Sequence, residues 1–182
     1  GRKAVRKIVV AGLQAAIDTS EALREDARNF NIIAAPGYPE LIDNMVSLNN
    51  DRRSTAFVVG DTSMRLAATS TAIQNWASNT AEDTGNSEDS LVTADPYLGV
   101  FYPQGQTNDL SGNTIVVPAS HMILRTIARS DDQSFPWFAP AGTRRGLIDN
   151  ANAIGFINSA TGEFQVDNVR ESLRDTLYSN RV

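Results

Sequence analysis

The chain has 182 residues, 41% hydrophobic and 20% charged. That is ordinary for one globular domain, which buries roughly 70% of its unfolded surface at this length. Cysteine is absent and the formal net charge is −5, which excludes disulfides, thiolate catalysis and sulfur-ligated zinc and argues against a general nucleic-acid binder. No apolar run nears the ~20 residues of a membrane span, and residues 8–13 are too short for a signal-peptide core. The lack of cysteine fits assembly in a reducing cytoplasm.

Residues 2–29 predict one helix or two, with Val9, Leu13, Ala16 and Ile17 at helical spacing. Asp18, Thr19 and Ser20 interrupt the pattern, and Ser20 is placed to cap a second helix over 21–28. Arg2, Lys3, Arg6 and Lys7 form the one basic cluster, read as a solvated helix face. Residues 30–35 (FNIIAA) predict a short buried strand stopped by Pro36-Gly37. Pro39 suits the first turn of a helix carrying Leu41, Met45 and Leu48. Residues 55–60 (TAFVVG) predict a second strand. A helix over 64–79 follows, with Ile73, Trp76 and Ala77 inward.

An acidic loop is expected over 80–90 and a third strand over 97–102 (YLGVFY). Residues 104–113 read as a polar loop, and 115–117 as an extended approach to Pro118. Ser120 is a candidate N-cap for a helix over 121–129 that buries Ile123, Leu124 and Ile127. Residues 135–142 are irregular, 143–149 a short turn or strand, and 153–157 a strand. A closing helix over 167–178 has Val166, Val169, Leu173 and Leu177 on one stripe. Apolar strands alternating with helices imply a largely parallel sheet covered on both faces. The start at Gly1 and the helical pattern running to Val182 lead to the expectation that the sequence is a piece of a longer protein.

Catalytic chemistry finds little support. His121 is the one histidine, so a Ser/His/Asp site would have to combine it with a serine and Asp61. No G-x-S-x-G elbow is present, and the simpler reading of Asp61 with Thr62 is a turn and cap. Residues 35–39 (APGYP) lie where a phosphate loop would but lack its glycine spacing and Lys-Ser/Thr pair. The acid pairs Glu82-Asp83, Glu88-Asp89 and Asp131-Asp132 read as solvated charge. No metal or cofactor is expected. Trp137 and Phe138 stand between Pro136 and Pro140, in a stiff loop that either plugs the domain's own core or anchors a partner. Core packing is the reading taken for the rings. Arg144-Arg145 follow in a Gly-flanked turn and are candidates for carboxylates on another subunit.

The order of these features resembles that of contractile phage tail sheath proteins, over residues 21–182. The matching parts are the strand ending Ala34-Ala35-Pro36-Gly37, the strand closing at Asp61 and the segment YLGVFYP at 97–103. Val116-Val117-Pro118-Ala119-Ser120-His121 and the helix end Ile127-Ala128-Arg129-Ser130-Asp131 follow. WFAPAGTRRG at 137–146 is the most specific part, and LRDTLYSNRV at 173–182 resembles the helix entering the family's C-terminal region. The resemblance implies an α/β fold: a three-layer α/β/α arrangement with a largely parallel (mixed) central sheet, of subtilisin-like topology without a catalytic triad. It implies a sheath core over 1–163 and, over 164–182, a helix leading into a C-terminal region beyond this sequence.

The function implied is that of a structural subunit and not an enzyme. Such subunits stack as helical rings around a tail tube and contract to drive the tube through the host envelope. Partners would be other sheath subunits, the tube and the baseplate, with no nucleic acid or membrane, in a virion assembled in the host cytoplasm. Without the family's linking arms, this stretch alone is expected to be monomeric. Arg144, Arg145 and Trp137 are the candidate subunit-interface residues. A related contractile injection device, bacteriocin or secretion system, is the nearest alternative, and a hydrolase using His121 is the alternative of another class.

Overall fold

The computed structural model describes residues 1–78, 90–91 and 93–182. The predicted acidic loop, apart from Ser90, lies outside the described residues. The chain opens with α1 (Arg2–Thr19) and α2 (Glu21–Arg24), separated by Ser20 in an extended conformation. The Arg24 guanidinium closes that break by donating to the Ile17 and Ser20 carbonyls at 2.8 and 3.1 Å. The second helix stops at Arg24 rather than Arg28, because Glu25 is already extended.

Three parallel strands carry the main core: β1 (Ile32–Ala34), β2 (Phe57–Asp61) and β3 (Leu98–Phe101), in the order β1-β2-β3. Between β1 and β2 run a 3₁₀ turn (Pro39–Leu41) and α3 (Ile42–Asp51). Between β2 and β3 runs α4 (Ser70–Ala77). The alternation of a strand sorts β2 between two faces. Val58 joins Ile42, Met45, Ile73 and Trp76 in one apolar cluster, while Asp61 faces the other side, onto the helix that begins at Ala119. Both crossover helices share one face, as right-handed connections running one way along a sheet require. The predicted start of α4 at Met64 moves to Ser70. Thr69 fixes that start, its hydroxyl accepting from the Ala72 N–H at 3.3 Å.

A second sheet is antiparallel: β5 (Thr114–Val117), β4 (Gln104–Asn108), β6 (Ala153–Ile157) and β7 (Phe164–Val166), in that order. The segment expected to be a loop from 104 is therefore a strand and a tight hairpin. Asp109 caps the turn by accepting from the Ser111 and Asn113 N–H groups at 2.9 and 2.8 Å. α5 (Ala119–Gln133) follows β5, and α6 (Gly142–Arg145) and α7 (Glu171–Ser179) complete the chain. The fold is thus mixed α/β, a parallel sheet with an antiparallel one beside it. Residues 164–182 are tied into the body: β7 pairs with β6, and Leu173 and Leu177 of α7 join the main apolar cluster. Val166, predicted on the helix stripe, is instead an exposed residue of β7. Among the described residues, no helix is long and apolar enough to cross a membrane.

Candidate functional site

Two places concentrate side chains that need explaining: a buried polar hub at the end of β2, and an exposed loop after α5. The hub begins with Asp61, the last residue of β2 and 2% exposed. Its carboxylate accepts three hydrogen bonds of 2.7 Å, from the Gly37 N–H, the Ser120 N–H and the Ser120 hydroxyl. Beside it the buried Gln104 amide donates to the Thr62 hydroxyl at 3.2 Å, and its carbonyl accepts from the Ala119 N–H at 3.0 Å. The first amides of a helix lack partners inside it. α5 has no side-chain cap of its own, so Asp61 and Gln104 supply the cap from other strands. A carboxylate at a helix N-terminus is also favoured by the helix dipole.

Burial pushes the Asp61 carboxyl up. The bonds from Gly37 and Ser120 and the nearby His121 pull it back, and it stays above the ordinary carboxylate range. The predicted N-cap role of Ser120 is corrected: Pro118 takes the cap position and Ser120 stands one residue inside the helix. Its hydroxyl turns to Asp61 because that buried acid needs donors.

The hub bears directly on the hydrolase alternative. Asp61, Ser120 and His121 do lie together, but Ser120 is 0% exposed and its hydroxyl donates straight to Asp61. No histidine stands between them, and His121 is exposed. A nucleophile must reach its substrate; Ser120 has no such path.

The second place is the loop at 135–146. Phe135 and Trp137 stack with ring centroids 4.6 Å apart and planes within 2° of parallel. Phe138 leans on both at 6.0 and 6.4 Å. The Arg145 guanidinium lies over the Phe138 ring at 4.6 Å. These rings do not plug the core, which corrects the reading taken from sequence. Trp137 is 75% exposed, and Phe135 and Phe138 are exposed with it. The two prolines and the short spacing fold the rings onto one another, so their apolar surface meets itself and water instead of the interior. Arg144 points outward, while Arg145 is half-buried by its ring contact.

The frame under this knob is fixed. Arg129 of α5 donates to Asp149 at 2.8 Å and to the Leu147 carbonyl at 2.8 Å, and Arg125 approaches Asp149 at 3.4 Å. Gly142 has φ +74°, and a Cβ on Gly146 would meet the Ala141 Cα at 2.7 Å. Glycine at both positions lets α6 turn back tightly behind the rings. Leu147 and Ile148 are exposed beside them.

The structure therefore brings Trp137, Arg144 and Arg145 onto one small exposed feature. It also joins Phe135, which sequence reasoning passed over; its place one residue before Pro136 and two before Trp137 was the available signal. No family model matches the chain, and no curated protein matches it.

Proposed function

We propose that this chain is the α/β core of a structural subunit of a contractile tail sheath, working in a virion. In this reading it polymerises as helical rings around a tail tube, and contraction drives the tube through a host envelope. The single observation that supports it best is the rigid, exposed knob of Phe135, Trp137 and Phe138 with Arg144 and Arg145 at its rim. Aromatic and arginine side chains held out on a fixed frame are the composition of an interface hot spot. The knob is also the segment that carries the sequence resemblance most specifically.

The reading includes a subtilisin-like topology around the parallel sheet. A parallel sheet with helices on both faces agrees with it, and so does the sealed Ser120 of α5, bonded to Asp61 at the end of β2. Contacts to neighbouring sheath subunits run through Trp137, Arg144 and Arg145, and the same rigid body exchanges one set of contacts for another during contraction. Electron microscopy of the gene's complete product tests this. Tubes of uniform diameter built from stacked rings are expected, and a product that stays dispersed under all assembly conditions would count against the reading.

A further inference from the structure

α1 is turned inside out for a surface helix. Its inner side holds Val10 and Ile17 against the core together with Arg6 and Gln14, which bond to Glu40 and its neighbours. Its outer side, at the 3.6-residue period, carries Val5, Ile8, Val9, Gly12, Ala15 and Ala16, all exposed. Val5 is 61% and Ile8 73% exposed. The charged residues of the helix stand on its flanks or its inner side. A helix face without charge normally packs on something.

The face has a direction. Its N-terminal half is bulky (Val5, Ile8, Val9) and its C-terminal half small (Gly12, Ala15, Ala16). Two such faces fit when they run antiparallel, bulk on small, with Gly12 at the crossing where backbones approach closely. Run in parallel, they would set bulk on bulk.

Charge follows the same symmetry. The first turns carry Arg2, Lys3, Arg6 and Lys7 with no acid among them, a poor match to the positive end of a helix dipole. The far end carries Asp18, with Glu21 just beyond. Lys7 and Asp18 lie on one flank, five residues before and six after Gly12, so a copy that crosses antiparallel at Gly12 brings each lysine near the other's aspartate. The Asn44 amide holds the Asp18 carboxylate at that edge at 2.9 Å.

We propose that the outer face of α1 pairs antiparallel with the same face of a second copy of this chain. The contact is isologous and closes at two copies, against the monomer that the resemblance implies, and its argument takes nothing from the sheath reading.

Sedimentation of the chain across micromolar concentrations tests the pairing, and single cysteines test its geometry, since the chain has no cysteine of its own. A Cβ at Gly12 meets nothing within 4 Å, so Gly12→Cys is tolerated and should cross-link readily across the two-fold axis. Ala4→Cys should not, because its copies stand about 24 Å apart along antiparallel helices. Ile8→Asp should abolish the dimer while leaving the melting temperature of the monomer unchanged. Lys7→Glu should weaken dimerisation several-fold, and adding Asp18→Lys should restore it. A monomer at every concentration, a dimer that survives Ile8→Asp, cross-linking through Ala4→Cys, or a charge swap that restores nothing would each overturn the proposal.

Discussion

The Asp61 hub and the Trp137 knob break the usual rule of burial in opposite directions. At the hub, polar groups are inside: Asp61, Gln104 and Ser120 are all buried. At the knob, large apolar rings are outside. The hub explains itself, because each of its groups finds a partner within the fold and the set joins β2, β4, the Gly37 turn and α5. The knob does not, because its rings stack on one another and under Arg145 and yet stay exposed. A buried polar cluster whose bonds all close internally is a structural fastener. An exposed apolar cluster on a fixed frame has surface left for something else.

That contrast can be broken first at the hub, where the largest effect is expected. Asp61→Ala leaves two backbone N–H groups and one hydroxyl without an acceptor, at about 1–3 kcal/mol for each buried group left unpaired. A loss of roughly 3 kcal/mol or more in urea unfolding is expected, and a loss under ~1 kcal/mol would show that the hub is not a fastener. Asp61→Asn keeps one acceptor and should lose less, about 1–2 kcal/mol by the same reasoning.

Its pH dependence sharpens the point. The folded-state pKa of Asp61 is raised above the ordinary value of 3.8. The folded state therefore holds its proton more tightly. The stability this contributes is present below the ordinary value and is lost as pH rises through the folded one. The stability gap between wild type and Asp61→Asn should narrow as pH rises across that interval, and a gap that widens would reverse the assignment.

The knob should behave in the opposite way. Trp137→Ala removes one stacked ring, about 1 kcal/mol, and should lower the melting temperature of the free chain by only about 2–4 °C while impairing assembly. Arg145→Ala removes an exposed cation–π contact, roughly 0.5–1 kcal/mol. Arg144→Glu should shift free-chain stability by less than about 0.5 kcal/mol, as surface changes do. With Arg145→Glu added, it should still block tube formation. Normal tubes from that double variant would remove the arginines from the interface.

Much of the parallel half was legible in sequence. IIA at β1 and FVVGD at β2 are short, apolar and punctuated by Gly, Pro or Asp, so both strands and the helices between them follow from pattern. The antiparallel sheet was not. QGQTN at β4 contains no apolar residue, and it is a strand because β5 and β6 pair with its backbone on both edges.

The direction of α1 was hidden for the converse reason. Apolar residues cover most of its circumference, so the spacing of Val9, Leu13, Ala16 and Ile17 did not fix its roll: Val10 is buried and Ile17 packs on the core, while Val9, Leu13 and Ala16 are exposed. In α5, Met122, Thr126 and Ser130 are buried, and the predicted Ile123, Leu124 and Ile127 are half-buried flanks. The two residues after Pro118 are drawn into the Asp61 hub, and that fixes the roll of the helix. The exposed knob was legible as a stiff aromatic loop, but whether it turned inward or outward depended on the frame set by Arg129 and Asp149.

Trp137 and Trp76 are the chain's two tryptophans, one 75% and the other 1% exposed, so their relative reactivity toward a tryptophan-oxidising reagent, read by mass spectrometry on the free and the assembled protein, tests the central claim most directly. Trp76 should be protected in both states, and Trp137 should be oxidised rapidly in the free chain and protected once subunits assemble. Equal oxidation of Trp137 in both states would contradict the account.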